Sequence, residues 1–247
     1  VNKAGDFNGD NRDDFIVSDN DVSYVIFGAD TYPHPFDLNS LDGTNGFKVQ
    51  HSSRYISNTL TSVGDFNGDG FDDLATGSGS YPYTSLLIFG NESNPATLDL
   101  DSPEPGSTVT FQSSNYYGLP ATGIGDINGD GFDDLALSGN YYLEKALILF
   151  GTDGLPATVD LDNIALDGSN GFTVELQSSY NTSPTRAGDL NGDGIDDLLI
   201  SPTDRNGDYG MIVVFGSTGG FPAVLNHSEI NGDNGFWFYK PGSSDFG

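Results

Sequence analysis

The chain has 247 residues, and 36 acidic against 8 basic side chains give it a formal net charge of −28. This charge repels phosphate backbones and anionic lipid surfaces, so nucleic acid is excluded as an expected partner. Cysteine is absent, which excludes disulfides and thiolate metal sites, and no apolar run approaches the roughly 18 residues of a membrane span, so direct membrane insertion is not expected.

The first predicted element is an acidic turn, GDFNGDNRDDF, which begins at Gly5. The same phrase returns at intervals of about 60 residues, long enough for one supersecondary unit of several strands. It reads GDFNGDGFDDL from Gly64, GDINGDGFDDL from Gly125 and GDLNGDGIDDL from Gly188. The sequence therefore predicts one domain over residues 1–247, built as an array of four repeats. Its acidic loops are residues 6–14, 65–73, 126–134 and 189–197.

Three apolar segments follow each acidic turn, and we predict that they are β-strands. In the first repeat they are DDFIVS from Asp13, SYVIFG from Ser23 and GFKVQ from Gly46. The segment that ends in Phe-Gly is too short and too rich in β-branched and aromatic residues for a helix, and its continuous apolarity predicts burial on both faces. A fourth strand is expected to run into the next turn, as in ISNTLTSVGD before Asp65. Four strands per repeat make the unit of a propeller blade.

The acidic turns have the composition of a calcium loop. A tight loop can offer Ca²⁺ side-chain oxygens from positions 1, 3 and 5 and a backbone carbonyl from position 7. With the acid at position 9, the predicted side-chain ligands are Asp6, Asn8, Asp10 and Asp14; Asp65, Asn67, Asp69 and Asp73; Asp126, Asn128, Asp130 and Asp134; and Asp189, Asn191, Asp193 and Asp197. The predicted carbonyl ligands belong to Arg12, Phe71, Phe132 and Ile195. An EF-hand is excluded, because position 12 carries no Glu.

Position 6 of each loop is expected to reverse the chain in a left-handed backbone conformation. Three loops carry Gly there, and the first carries Asn11, which adopts this conformation at modest cost, so the first site is expected to bind calcium more weakly. The crowded carboxylates repel one another until a divalent ion offsets their charge, so we expect about four structural Ca²⁺ ions per chain. Affinities typical of extracellular modules would leave such loops largely empty in cytosol, which predicts a secreted or cell-surface location, with the chain as part of a larger polypeptide as one option.

The order GDxNGDGxDDL, then an apolar run ending in FG, then LDGxNGF resembles the FG-GAP repeat of integrin α subunits, and more closely its bacterial versions in large secreted proteins. The resemblance covers essentially the whole chain, although the Gly-Ala-Pro of the repeat is degraded to TGSGS, LSGN and ISPT. It implies an all-β propeller of four-stranded antiparallel blades, with one calcium ion between the first two strands of each blade. Four repeats leave open a closed four-bladed ring, a partial propeller completed by other chains, and a portion of a longer polypeptide.

The first functional hypothesis is a structural or adhesive module that contacts protein partners or neighbouring copies at the cell surface. The alternative is a lectin of the same fold, because Tyr, Asn and Ser recur in SSRYISN from Ser52, SSNYYG from Ser113 and SSYNTS from Ser178, although the same residues could serve only as inter-blade contacts. An enzyme is not expected, since no GxSxG, Walker or GxGxxG motif is present and no catalytic residue can be nominated. The segment DRNGD at Asp204 is predicted to be a loop between the second and third strands of its repeat.

Overall fold

The structure, a computed structural model, describes residues 1–19, 22–52, 59–77, 83–114, 121–138, 145–176, 179–204 and 210–238. In these ranges the chain is built of β-strands, with two single-turn 3₁₀ helices at Leu38–Ser40 and His227–Glu229. Neither turn has the length or apolarity that a membrane-crossing helix needs. The prediction of an all-β fold is confirmed.

The first half of the chain forms two sheets whose strands pair antiparallel in the predicted order. The first sheet contains β1 (Asn2–Gly5), β2 (Asp14–Asp19), β3 (Val22–Ile26) and β4 (Gly46–Gln50). The second begins with β5 (Thr61–Gly64), β6 (Asp73–Gly77) and β7 (Tyr83–Ile88). The chain then returns to the first sheet as β8 (Thr97–Asp99) before β9 (Thr108–Ser113) completes the second.

The second half repeats this path. The third sheet begins with β10 (Ala121–Gly125), β11 (Asp134–Ser138) and β12 (Lys145–Leu149). The chain returns to the second sheet as β13 (Thr158–Asp160), and β14 (Gly171–Glu175) completes the third. The fourth sheet contains β15 (Ser179–Gly188), β16 (Asp197–Asp204), β17 (Met211–Val214) and, after β18 (Val224–Asn226) returns to the third, β19 (Gly235–Phe238).

A parallel strand on the outer edge of three sheets is a feature that the sequence did not predict. The following repeat supplies it each time, so that β4 pairs with β8, β9 with β13 and β14 with β18. These strands are only three residues long and depend on pairing with another repeat, so no local pattern marks them. Four sheets of this construction are consistent with a β-propeller. The described residues do not close a ring, so the closed four-bladed ring stays one of the three arrangements that the sequence left open.

The hydrophobic core is divided among the interfaces between successive sheets. At the first interface, Phe7 and Leu74 belong to one buried cluster although they come from different repeats. A strand inside the array contributes to two such clusters. In β12, Leu147 packs with the second sheet, whereas Ala146 and Ile148 belong to the cluster shared with the fourth. The predicted two-sided burial of the Phe-Gly segments is therefore confirmed for the interior sheets, and apolar burial holds each sheet to the next.

A β-bulge precedes every acidic loop. The register shifts by one residue at a glycine that ends the first strand of each sheet and has a positive φ. These glycines are Gly5 (φ 70°), Gly64 (φ 79°), Gly125 (φ 78°) and Gly188 (φ 71°). A bulge bends the strand and re-aims the residues that follow it, and glycine reaches this backbone conformation without steric cost. The bulge thus sets the direction in which each acidic loop leaves its sheet.

Candidate metal centres

All four acidic loops join the first two antiparallel strands of a sheet, the position that the family resemblance implied. Position 6 has the expected left-handed backbone, with φ of 92° at Gly70, 94° at Gly131 and 90° at Gly194. Asn11 reaches φ 64° at the same position of the first loop. The conformational prediction for this position is therefore confirmed in every loop, including the one that lacks glycine.

The side chains at positions 1, 3 and 5 fold over the loop backbone and accept its N–H groups. In the second loop, the N–H of Asp69 donates to Asp65 Oδ1 and to Asn67 Oδ1, each at 3.0 Å. The N–H of Gly70 donates to Asp65 Oδ2 at 2.9 Å, and that of Phe71 donates to Asp69 Oδ1 at 3.0 Å. The other loops repeat these bonds. Because the N–H of position 5 donates to both side chains, the oxygens of positions 1 and 3 lie close together beside one peptide group.

The aspartate at position 9 ties the loop to the Phe-Gly segment. Asp73 is fully buried, and its two oxygens accept the N–H of Phe66 at 3.0 Å and that of Gly90 at 2.9 Å. A Cβ on Gly90 would lie 2.5 Å from the carbonyl oxygen of Asp72, so only glycine fits there. Asp14, Asp134 and Asp197 make the equivalent pairs of bonds. Sequence reasoning treated the Phe-Gly only as a strand end, although its recurrence after every loop was the available signal.

In the second, third and fourth repeats, the aspartate at position 8 links the loop to the loop of the preceding repeat. Asp72 Oδ2 accepts the N–H of Asp6 at 2.6 Å, and the N–H of Asp72 donates to the carbonyl oxygen of Asp6 at 3.1 Å. Beside them, the N–H of Asn91 donates to the carbonyl oxygen of Phe7 at 3.0 Å. The later junctions repeat these bonds in the pairs Asp133 with Asp65, Asp196 with Asp126, Thr152 with Phe66, and Ser217 with Ile127. Sequence reasoning assigned no role to position 8, although the repeated Asp-Asp pair was visible.

Burial and like charge make the carboxyl groups of Asp14, Asp73 and Asp134 difficult to ionise. Burial raises the pKa of Asp14 to about 7, against the opposing effect of its two N–H donors, and the carboxylates of Asp10 and Asp6 raise it further. The pKa values of Asp73 and Asp134 are raised to about 8 for the same reasons. A buried carboxyl group beside two other carboxylates is stabilised either by a proton or by a cation.

The donor chemistry of the loops fits a hard cation. Each loop offers only oxygen ligands, namely three carboxylates, one amide and a main-chain carbonyl, which is the set that Ca²⁺ prefers. Within the described ranges, no group of three or more Asp, Glu, His or Cys side chains is placed so that it could hold a metal ion by itself. A calcium shell would therefore depend on the Asn and carbonyl oxygens as well, and the ligand set stays a prediction.

Acidification should stabilise the metal-free protein. Between about pH 4 and pH 8 the folded chain binds protons at Asp14, Asp73 and Asp134 that an unfolded chain, with pKa values near 3.8, does not bind. The contribution of these groups is therefore complete below the unfolded pKa and is lost as the pH rises through about 7 to 8. After removal of divalent ions by dialysis, the melting temperature should be higher at about pH 5 than at about pH 8.

Saturating calcium provides the control for this measurement. A bound cation offsets the buried charge, so the melting temperature should change much less over the same pH interval. Groups with lowered pKa values, such as Asp42 and Asp167, stay ionised throughout that interval and do not oppose the effect. A metal-free melting temperature that rises from acidic to alkaline pH would contradict the prediction.

The segments that suggested a lectin lie largely outside the described residues, including Tyr116 and its neighbours. Serines at the start of two of them, Ser52 and Ser114, are described and bind aspartates of the outer edge. Ser52 donates from its N–H and hydroxyl to Asp101, both at 2.7 Å, and Ser114 donates to Asp162 at 2.8 and 2.5 Å. These bonds are structural contacts. The predicted DRNGD loop begins at the end of β16, and its residues 205–208 lie outside the described ranges.

Comparison with known proteins identifies one repeat family and two kinds of relative. Residues 57–94 match the FG-GAP repeat family. The chain is 29% identical over 215 residues to phosphatidylinositol-glycan-specific phospholipase D of Bos taurus, an alignment that covers 79% of this chain and 25% of that protein. It is 26% identical over 172 residues to integrin alpha-V of Gallus gallus, covering 66% of this chain and 15% of that one. With integrin alpha-PS5 of Drosophila melanogaster it shares 29% identity over 150 residues, covering 54% and 14%.

The chain thus spans a quarter or less of the length of these curated relatives. The matched residues 57–94 contain the second acidic loop and the Phe-Gly at Phe89 and Gly90. The N–H of Gly90 donates to Asp73 and so ties this loop to the sheet. The resemblance seen in the sequence is confirmed, while the closer kinship with bacterial versions stays a prediction. Residues 57–94 thus match an FG-GAP repeat, and the chain is similar to integrin α subunits over more than half of its length.

Proposed function

We propose that this chain is a calcium-stabilised β-propeller module that stands outside the cell and binds other proteins without catalysing a reaction. The observation that carries the proposal is the fourfold acidic loop, which is bonded to its own Phe-Gly segment and, in the second to fourth repeats, also to the preceding loop. A cation held in such a loop would stabilise the sheet and its junction together. An array of rigid sheets then offers broad surfaces for protein contact.

Calcium would be held at positions 1, 3, 5 and 9 by side chains and at position 7 by a carbonyl group. In the third loop these are Asp126, Asn128, Asp130, Asp134 and the carbonyl of Phe132. When bound, the ion supplies positive charge that offsets the repulsion among the carboxylates. The protein residues themselves fix the loop. Position 1 accepts the N–H groups of positions 5 and 6, and position 9 accepts the N–H of position 2 and that of the glycine in the Phe-Gly segment.

The relatives favour an interaction role over catalysis. This chain matches a phospholipase D over a quarter of that enzyme, and it also matches integrin α subunits. The simplest explanation of both similarities is that the shared part is the repeat array, so the name of the enzyme need not transfer to this chain. That this chain has no catalytic activity therefore remains part of the proposal, together with its adhesive role and its extracellular location.

The number of calcium ions that the chain binds tests this proposal. Titration calorimetry of the metal-free protein should give about four saturable Ca²⁺ sites per chain, with one site weaker than the others because its loop carries Asn11. The substitution Asp69→Asn should remove one site, since it takes a carboxylate from the second loop. The matched control Asp153→Asn, at an exposed aspartate outside the loops, should leave the number unchanged. Absence of saturable binding would overturn the calcium proposal.

A further inference from the structure

The aspartate at position 1 of an acidic loop is held from two sides. In the second loop, the carboxylate of Asp65 accepts the N–H groups of positions 5 and 6 of its own loop, at 3.0 and 2.9 Å. The next repeat holds the main chain of the same residue. The N–H of Asp65 donates to Asp133 Oδ2 at 3.0 Å, and its carbonyl oxygen accepts the N–H of Asp133, also at 3.0 Å. A predicted calcium ligand therefore depends for its main-chain bonds on a residue 68 positions further along the chain.

The other two internal junctions repeat this pair of bonds. Asp72 forms both with Asp6, at 2.6 and 3.1 Å, and Asp196 forms both with Asp126, at 3.3 and 3.2 Å. Position 8 is not a predicted ligand in its own loop, whereas position 9 is a predicted ligand and accepts N–H groups of its own repeat, as Asp73 does. The Asp-Asp pair at positions 8 and 9 thus serves two loops, because one carboxylate bonds the preceding loop and the other bonds its own.

The next repeat also contacts positions 2 and 4 of the loop. The carbonyl oxygen of Phe66 accepts the N–H of Thr152 at 2.9 Å, so two consecutive carbonyl groups of the second loop are bonded to the third repeat. The ring of Phe132 lies against Gly68, which stands between ligand positions 3 and 5, and a Cβ on this glycine would overlap the ring. The third repeat therefore limits how far the main chain of the second loop can move on that side.

These contacts are more specific than the joining of two sheets requires. The apolar clusters and the short parallel strands already join successive repeats, and they do so without a bond to an acidic loop. The position 8 carboxylates instead bond the residue whose own carboxylate accepts two loop N–H groups and is a predicted calcium ligand. This placement favours a role in the metal site over a role in sheet packing alone.

We propose that Asp72, Asp133 and Asp196 are positioning residues for the calcium site of the preceding loop. They do not touch the ion; each holds the main chain of the position 1 ligand, so that its carboxylate is in place before the ion binds. Because it concerns the same calcium sites, this role rests on the proposed function. Groups that hold metal ligands in place typically change the metal affinity by about 10- to 100-fold when they are removed. Each of these three sites is then built by two repeats.

Titration calorimetry of Asp133→Ala with calcium measures this role. One site should bind calcium about 10 to 100 times more weakly than in the parent protein, because the N–H of Asp65 loses its acceptor. Asp133→Asn keeps an oxygen that can accept this N–H, so it should retain most of the affinity. Asp153→Ala, at an exposed aspartate outside the loops, should leave every site unchanged. Asp72→Ala makes the same change at the first junction and gives an independent measurement on the first loop.

A double-mutant cycle identifies the weakened site. Asp69→Asn takes a carboxylate from the second loop, and Asp130→Asn takes one from the third, the loop that contains Asp133 itself. With Asp69→Asn, adding Asp133→Ala should leave the remaining affinities unchanged, because the site on which it acts is already lost. With Asp130→Asn, the same substitution should still weaken one site. A residue that only joined two sheets would lower the melting temperature in chelator without this dependence on the second substitution.

Two outcomes overturn the positioning role while leaving the calcium proposal intact. Equal calcium affinities in Asp133→Ala and the parent protein would show that position 8 has no part in binding the ion. A weakened site that persists together with Asp69→Asn would place the effect in another loop. Failure of the proposed function has a different signature, since the parent protein itself would then show no saturable calcium binding.

Discussion

Removal of calcium should lower the melting temperature of this protein by on the order of 20 °C. A ligand at about 100 times its Kd stabilises the folded state by about 2.7 kcal/mol per site. The sum over several such sites is comparable with the roughly 5 to 15 kcal/mol free energy of unfolding of a whole domain. For a chain of this length, 1 kcal/mol corresponds to about 2 to 4 °C. Thermal unfolding with calcium and with excess chelator at neutral pH measures the difference.

A variant with neutral position 5 side chains is the matched control. In Asp10→Asn, Asp69→Asn, Asp130→Asn and Asp193→Asn combined, each amide oxygen can still accept the N–H of position 7, which the carboxylate accepts at 2.9 to 3.0 Å. The metal-free fold should therefore persist, while most of the response to calcium disappears. Equal melting temperatures of the parent protein with calcium and with chelator would contradict the prediction and leave the loops as simple turns.

Asp134→Ala should destabilise the chain by about 2 to 5 kcal/mol. The substitution leaves the N–H groups of Ile127 and Gly151, bound at 2.8 Å each, without acceptors in a buried position, and an unsatisfied buried donor costs about 1 to 3 kcal/mol. Denaturant unfolding of the metal-free protein isolates this term from calcium binding. In calcium the loss should be larger, because one ion is lost as well.

Asp134→Asn and Asp153→Ala complete this experiment. The asparagine keeps the size of the side chain and one of the two acceptors, so the metal-free variant should lose about half as much stability as the alanine variant. Asp153 is exposed, and its replacement by alanine should stay within about 0.5 kcal/mol of the parent protein. If Asp134→Ala unfolded at the same denaturant concentration as Asp153→Ala, the anchoring role of position 9 would be wrong.

The sequence was sufficient to predict the four acidic loops, their place between the first two strands, and two-sided burial of the Phe-Gly segments. Each of these features has a local cause: alternating oxygen side chains, a glycine or Asn11 with positive φ, or a continuous apolar run. A period of about 60 residues also made the repetition of sheets predictable. Local pattern and three-dimensional structure agree wherever one repeat alone determines the outcome.

Features that join two repeats could not be predicted in this way. The bond from the N–H of Asp6 to Asp72 spans 66 residues, and nothing in either turn alone points to the other. The parallel strands β8, β13 and β18 are equally non-local, since each depends on an edge supplied by the preceding repeat. Calcium binding also stays a prediction. The oxygens of the predicted ligands accept backbone N–H groups of the loop, and the sequence pattern that allows these bonds is the same with and without a cation.

The short strands β8, β13 and β18 each pair with the sheet of the preceding repeat, so consecutive repeats are interlocked. Two neighbouring sheets can separate only after the three-residue hydrogen-bonded ladder between them has broken. The second and third sheets are linked in this way to a neighbour on both sides. Under heat or mechanical load, two neighbouring sheets should therefore come apart only when this ladder and the apolar interface between them break together.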